Sequence, residues 1–184
     1  MDQQDNRTKN PKVSVLVAAF NVDSILPRSL NSALSQTLRS GCLEVIVVDD
    51  ASQDATLKIA KAFATQDSRV RVLRSRANVG PGAARAIGLA AAAGDWIAVL
   101  DADDAMATGR LCRLINTAEE RNLDFIADNL TLLDPEAGPM GVAFPLNPEQ
   151  SLPLSPERLL LNAVPGGKIN LGWMKPGRAP RVSQ

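Results

Sequence analysis

An α/β fold with a mostly parallel central sheet is predicted by three observations. Two apolar, β-branched runs, Val13 to Ala18 and Leu43 to Val48, lie about 30 residues apart, the spacing of a βαβ unit. Strand-like and helix-like segments alternate from there to Ala127. Polar clusters follow the strand-like runs, at the edge where open parallel sheets bind ligands.

Each element has a local reason. After the first strand, Leu26, Leu30, Ala33, Leu34 and Leu38 recur at helical spacing, with Asp23 or Ser24 as the expected cap and Gly41 as the stop. The second strand runs into Asp49 and Asp50. A helix carrying Ile59, Ala60 and Phe63 follows, with Ser52 or Asp54 as its expected cap. Val70 to Leu73 reads as a third strand, and the alanine-rich stretch from Gly80 to Ala93 as a helix ended by Gly94, its small side chains suited to tight packing on a sheet. Trp96 to Leu100 is the fourth strand. Thr108 is placed to cap a helix whose apolar face is Leu111, Leu114, Ile115 and Ala118, and Leu123 to Ala127 is a fifth strand. Beyond Asp134 the character changes, because nine of the twelve prolines lie there and only Ser155 to Ala163 has a helical pattern. The organisation expected is a flexible tail over 1–11, a core over 12–133 and a Pro/Gly-rich region over 134–184, with Gly166 to Gln184 as a loose end.

Composition excludes several chemistries. The sequence contains no histidine, which removes Ser-His-Asp and Cys-His catalysis and His-ligated zinc. Its 20 basic and 20 acidic residues balance, so a nucleic-acid partner is not expected. No apolar run is long enough to span a membrane and Met1 to Lys12 lacks a signal-peptide core, which together predict a cytoplasmic protein.

The most informative stretch is Asp101-Ala-Asp-Asp104, which closes an apolar strand with three carboxylates. If the strand continues, Asp101 and Asp103 point to one face about 6 to 7 Å apart, a spacing at which two carboxylates repel unless a cation lies beside them. Hard oxygen ligands suit Mg²⁺ or Mn²⁺ bridging to a diphosphate, the alternative being a solvated acidic loop. Asn21, Asp50, Asn78 and Gly80 fall at the same sheet edge. Asp50, fixed at a strand end, is suited to accept the imide hydrogen of a uracil ring. Gly80-Pro-Gly-Ala-Ala-Arg85 imitates a dinucleotide fingerprint, but Arg85 stands where that motif needs a third glycine for close packing. A loop over a nucleotide, with Arg85 offering a cation to phosphates or to the acidic cluster, fits the segment better.

The ordered set Val13-Ser-Val-Leu-Val-Ala-Ala-Phe-Asn21, Ser35-Gln-Thr37, Glu44 to Thr56, Asn78 to Arg85 and Gly94 to Asp104 resembles the family 2 glycosyltransferases, over about Lys12 to Asp128. The resemblance implies the GT-A fold, a Rossmann-like three-layer sandwich. It implies transfer of a sugar from a nucleotide-diphosphate donor, UDP-sugar favoured, to a saccharide or lipid-linked acceptor, as in bacterial exopolysaccharide synthesis. It implies that Ala19, Phe20 and Asp50 hold the base and ribose, that Asn21, Asn78, Gly80, Arg85 and Ala102 complete the nucleotide-sugar site, and that Asp101 and Asp103 form the DxD pair. Asp103 is the first choice as ligand of Mn²⁺ or Mg²⁺. Ala18 replaces a proline common in relatives.

The family's catalytic base is expected in the second half as an acidic pair, yet the sequence has no Asp or Glu after Glu157. Asn170 to Pro176 resembles the entry to an acceptor half, and the chain is expected to be a truncated product whose base is unknown. Two other readings stay open: a nucleotide-binding module without transferase activity, and a nucleotidyltransferase-like enzyme. Peripheral association at the inner face of the membrane and homodimerisation are left open as well.

Overall fold

The computed structural model describes residues 13–126, 128, 131–134, 138–142 and 173–174. Its elements are β1 (Val13–Ala19), α1 (Leu26–Leu34), β2 (Leu43–Asp49), α2 (Thr56–Gln66), β3 (Val70–Arg74), α3 (Pro81–Ala91), β4 (Trp96–Val99), α4 (Arg110–Glu120), β5 (Phe125–Ile126), β6 (Thr131–Asp134), β7 (Gly138–Val142) and β8 (Trp173–Met174). A sheet of order β3-β2-β1-β4-β8-β5 forms the centre, and β6 and β7 make a separate hairpin. β3, β2, β1 and β4 are mutually parallel, whereas β8 runs antiparallel to both β4 and β5.

The central strands are mostly apolar because both faces are covered, and the buried polar residues Ser14 and Glu44 are hydrogen-bonded to each other. Val13, Val15, Val17, Ala19, Val45 and Val47 pack with Leu26 and Leu30 of α1, Ala60 of α2 and Leu111, Leu114 and Ile115 of α4. Leu16, Ile46, Val48 and Ile97 face the opposite way and meet Ala84 of α3. The result is the three-layer α/β sandwich expected from the sequence. Glycine governs how closely α3 lies on the sheet: a Cβ at Gly88 would stand 3.3 Å from Val48 Cγ2 and 3.4 Å from Leu16 Cδ2. Close packing, expected to be blocked at Arg85, is thus achieved by its neighbour Ala84 and by Gly88, three residues further on.

Several local expectations change. α1 begins after Ile25 without a side-chain cap, since the Val22 carbonyl takes the Ile25 and Leu26 N–H groups and Pro27 needs no acceptor. Asp23 and Ser24 are not its caps. The helix ends at Leu34, and Gly41 instead supplies a positive-φ turn before β2. α2 starts after Ala55 and α4 after left-handed Gly109, so Ser52 and Thr108 do not cap them. β4 stops at Val99, and the Asp104 N–H donates to the Asp101 carbonyl at 3.0 Å, so the acidic run is a turn, not an extended strand. The fifth strand is only Phe125–Ile126. Trp173 and Met174, from the segment expected to be a loose end, pair with Ile97, Phe125 and Ile126 within the main sheet. The expected helix Ser155 to Ala163 and the tail over 1–11 lie outside the described residues.

Candidate donor site

Parallel strands bring their carboxyl ends to one edge. Ala19, Asp49 and Arg74 stand level across β1, β2 and β3 by register, and Asp50 follows them, its N–H donating to the Ala19 carbonyl. Ala19 is buried and faces the helix layer of α1 and α2, while Phe20, next in the chain, is 44% exposed. An aromatic face left to solvent at this edge has the chemistry to stack on a planar ring. Asn78 is exposed beyond β3.

Asp50 is the best-connected group at the edge. Its carboxylate, 2% exposed, accepts from Ser75 Oγ (2.7 Å), Val79 N (3.0 and 3.1 Å) and Gly80 N (2.8 Å). Burial alone would raise its pKa, but these hydrogen bonds outweigh it and hold the carboxyl below its ordinary range. These three donors make four contacts, two on each oxygen, which take up the roughly four acceptor directions of the carboxylate. Asp50 therefore fixes the loop 75–80, and with it the start of α3, where Gly80 adopts φ 83°. Asp49, beside it, is fully buried; neither of its oxygens accepts a hydrogen bond, and its counter-charge is Arg74 Nε at 3.2 Å.

Two loops lock together over the ends of β1 and β2. Asn21, left-handed at φ 52°, donates its N–H to Ser52 Oγ and accepts the Gln53 N–H on Oδ1. Val22 N donates to Thr56 Oγ1, and Asp23 N to Asp54 Oδ2. Ser52 and Thr56 are buried acceptors in this clasp. Asp54, whose Oδ1 accepts the Thr56 N–H, stays below the ordinary carboxyl range chiefly through the Thr56 side chain.

The acidic turn gathers more than the expected pair: oxygens of Asp101, Asp103 and Asp104 all lie within 4.8 Å of one another. Asp103 is exposed and the other two are half-buried, with Ala102 buried beneath them. Such a set of hard oxygen donors suits a small divalent cation. Arg85, one turn into α3, crosses to the cluster and donates from Nη2 to Asp101 Oδ1.

A polar row on α1 and just past its end holds the acidic turn and the segment after it. Ser29 Oγ donates to the Asp101 carbonyl at 3.4 Å, Ser32 Oγ accepts the Met106 N–H at 3.0 Å, and Gln36 bonds the Ala107 carbonyl at 2.9 Å and the Leu111 N–H at 3.0 Å. Only Gln36 belonged to a motif singled out in the sequence, and it carried no assigned role. The row was detectable as polar residues at positions i, i+3 and i+7 alongside Leu26, Leu30 and Ala33, a stripe that a merely solvated helix face would not place against the apolar one.

The fold and the edge cluster define a class, which comparison with known proteins identifies. Residues 14–156 match the model of glycosyl transferase family 2, and the chain belongs to that family. It is similar to succinoglycan biosynthesis protein ExoO of Rhizobium meliloti, 37% identical over 173 residues, covering 91% of this chain and 47% of that protein. The uncharacterised glycosyltransferase EpsJ of Bacillus subtilis is 36% identical over 116 residues, 63% of this chain and 33% of its own length. The chain thus spans about half or less of these relatives. Among solved structures, S. aureus TarS 1-349 in complex with UDP superposes with a TM-score of 0.58 at 31% identity, covering 61% of this chain and 33% of that one. Mannosyltransferase PcManGT from Pyrobaculum calidifontis, in complex with GDP-Man and Mn²⁺, has a TM-score of 0.60 at 22% identity, covering 71% and 38%, a likeness of fold.

Proposed function

We propose that this chain forms the nucleotide-sugar-binding part of a glycosyltransferase, taking a nucleoside-diphosphate sugar, UDP-sugar favoured, for transfer to a saccharide or lipid-linked acceptor. The observation that carries the reading is the shared sheet edge: an exposed aromatic, a loop pinned by a buried carboxylate, and three gathered carboxylates follow β1, β2 and β4 in turn. The base stacks on Phe20 beside Ala19 and Asn21, against the loop carrying Asn78 and Gly80, which Asp50 holds in place. Asp103, with Asp101 and Asp104, holds Mn²⁺ or Mg²⁺, which supplies neutralisation of charge on the leaving diphosphate. Arg85 faces the same charge. The UDP that TarS binds supports the choice of base.

Calorimetric titration of the intact chain with UDP, GDP and ADP, with and without Mn²⁺, tests this. UDP binding that Mn²⁺ strengthens, with that gain lost in Asp103→Ala at an unchanged unfolding midpoint, is the expected result. No binding of any nucleotide, or binding indifferent to metal, rejects the donor-site reading; unchanged metal dependence in Asp103→Ala rejects the ligand assignment.

A further inference from the structure

We propose that Arg85 is a built-in counter-cation of the acidic turn, making divalent-metal binding conditional on the nucleotide; the inference rests on the donor-site reading above. Three carboxylates with oxygens inside 4.8 Å repel one another, and a bare cation would normally relieve this. Here a guanidinium already does so in part, through the Arg85 Nη2 bond to Asp101. While that bond stands, Asp101 is a weaker ligand and a positive charge lies beside the metal position. Both effects oppose binding of a free divalent ion.

The guanidinium is incompletely matched where it sits. Arg85 Nε is buried and has no acceptor, so one arm of the planar fork is unused. A diphosphate offers the paired oxygens that this fork fits, and the Arg85 side chain, 36% exposed, has room to turn toward them. Moving to the phosphates, Arg85 releases Asp101 and gains a partner for Nε. Metal and nucleotide then favour each other, and by reciprocity each raises the other's affinity equally. The position from which Arg85 reaches is fixed by the nucleotide site itself: Asp50 holds Val79 and Gly80, the Gly80 carbonyl takes the Ala84 N–H in the first turn of α3, and Arg85 is the next residue.

The test measures Mn²⁺ binding to the intact chain from the electron paramagnetic resonance signal of free Mn²⁺, with and without UDP, for wild type, Arg85→Gln and Arg85→Lys. In wild type, UDP is expected to tighten Mn²⁺ about tenfold. Arg85→Gln should bind Mn²⁺ alone about fivefold more tightly than wild type, the value for a partly screened neighbouring charge, and should lose most of the UDP effect. Arg85→Lys keeps the charge without the fork; its binding of Mn²⁺ alone should stay near wild type while the UDP effect shrinks. Should Arg85→Gln fail to fold, the lysine variant carries the test. An undiminished UDP effect in either variant, or no gain for Mn²⁺ alone in Arg85→Gln, overturns the proposal while leaving the donor site standing. Absence of both Mn²⁺ and UDP binding in wild type overturns the donor-site reading, and this inference with it.

Discussion

Replacing Asp50 by asparagine isolates what its second carboxylate oxygen does. The side chain keeps its shape, so no cavity forms, but one acceptor becomes an amide that can only donate. Whichever way the amide turns, its NH₂ faces donors: the Ser75 hydroxyl and Val79 N–H on the Oδ1 side, or the Val79 and Gly80 N–H groups on the Oδ2 side. Ser75 is held by a second bond to the Ala77 carbonyl, so the amide is expected to set its NH₂ toward Ser75 and lose about one charge-assisted hydrogen bond. That places the cost at about 1.5–3 kcal/mol, read as a drop in the urea midpoint at pH 7. The pH dependence supplies the sharper check. The folded carboxyl lies below its ordinary value of 3.8, so its contribution is complete above that value and is lost as pH falls through the folded pKa. The difference between wild type and variant should therefore shrink when the pH is taken from 7 to below 3.8. A cost under about 0.5 kcal/mol at pH 7, or an equal cost at both pH values, refutes the assignment of Asp50 as the loop's anchor.

Two further substitutions probe the scaffold. Gln36→Ala removes the buried acceptor of the Leu111 N–H and the donor to the Ala107 carbonyl; it should cost about 1–3 kcal/mol and speed amide hydrogen exchange across residues 107–111, and unchanged exchange there would mean Gln36 does not hold the segment that follows the acidic turn. Gly94→Ala puts a Cβ 2.6 Å from Ser14 N and 2.8 Å from the Val13 carbonyl carbon, atoms of a central strand that cannot yield; a loss of about 1–3 kcal/mol in urea unfolding is expected, and a neutral effect contradicts the packing described.

How far the sequence could be read depended on the range of the signal. The apolar runs of β1 and β2, the helical faces of α1 and α4 and the order of layers were legible because periodicity is local. Most helix caps were misread for the same reason, although Asp54, one of two residues expected before α2, does accept the Thr56 N–H. Ser52 and Asp23 have cap-forming side chains and sit just before helices, but each is engaged with the neighbouring loop about 31 residues away, a competitor invisible in a short window. The acidic run was found, yet its geometry was wrong, since a turn closed by Asp104 N–H brings in a third carboxylate that strand alternation would have sent elsewhere.

By itself the sequence determined that the chain is an α/β protein with a parallel sheet, that these 184 residues supply no histidine, and that polar clusters follow its strands. Those are properties of composition and of neighbours a few residues apart. The tertiary structure alone decided that Asp50 anchors a loop 30 residues on, which of its two expected partners Arg85 meets, and that Gln36, just past α1, holds the Leu111 N–H 75 residues on. Such partnerships depend on which strand ends the parallel register brings level, and on how closely Ala84 and Gly88 let α3 approach the sheet. Neither quantity is written in any one segment.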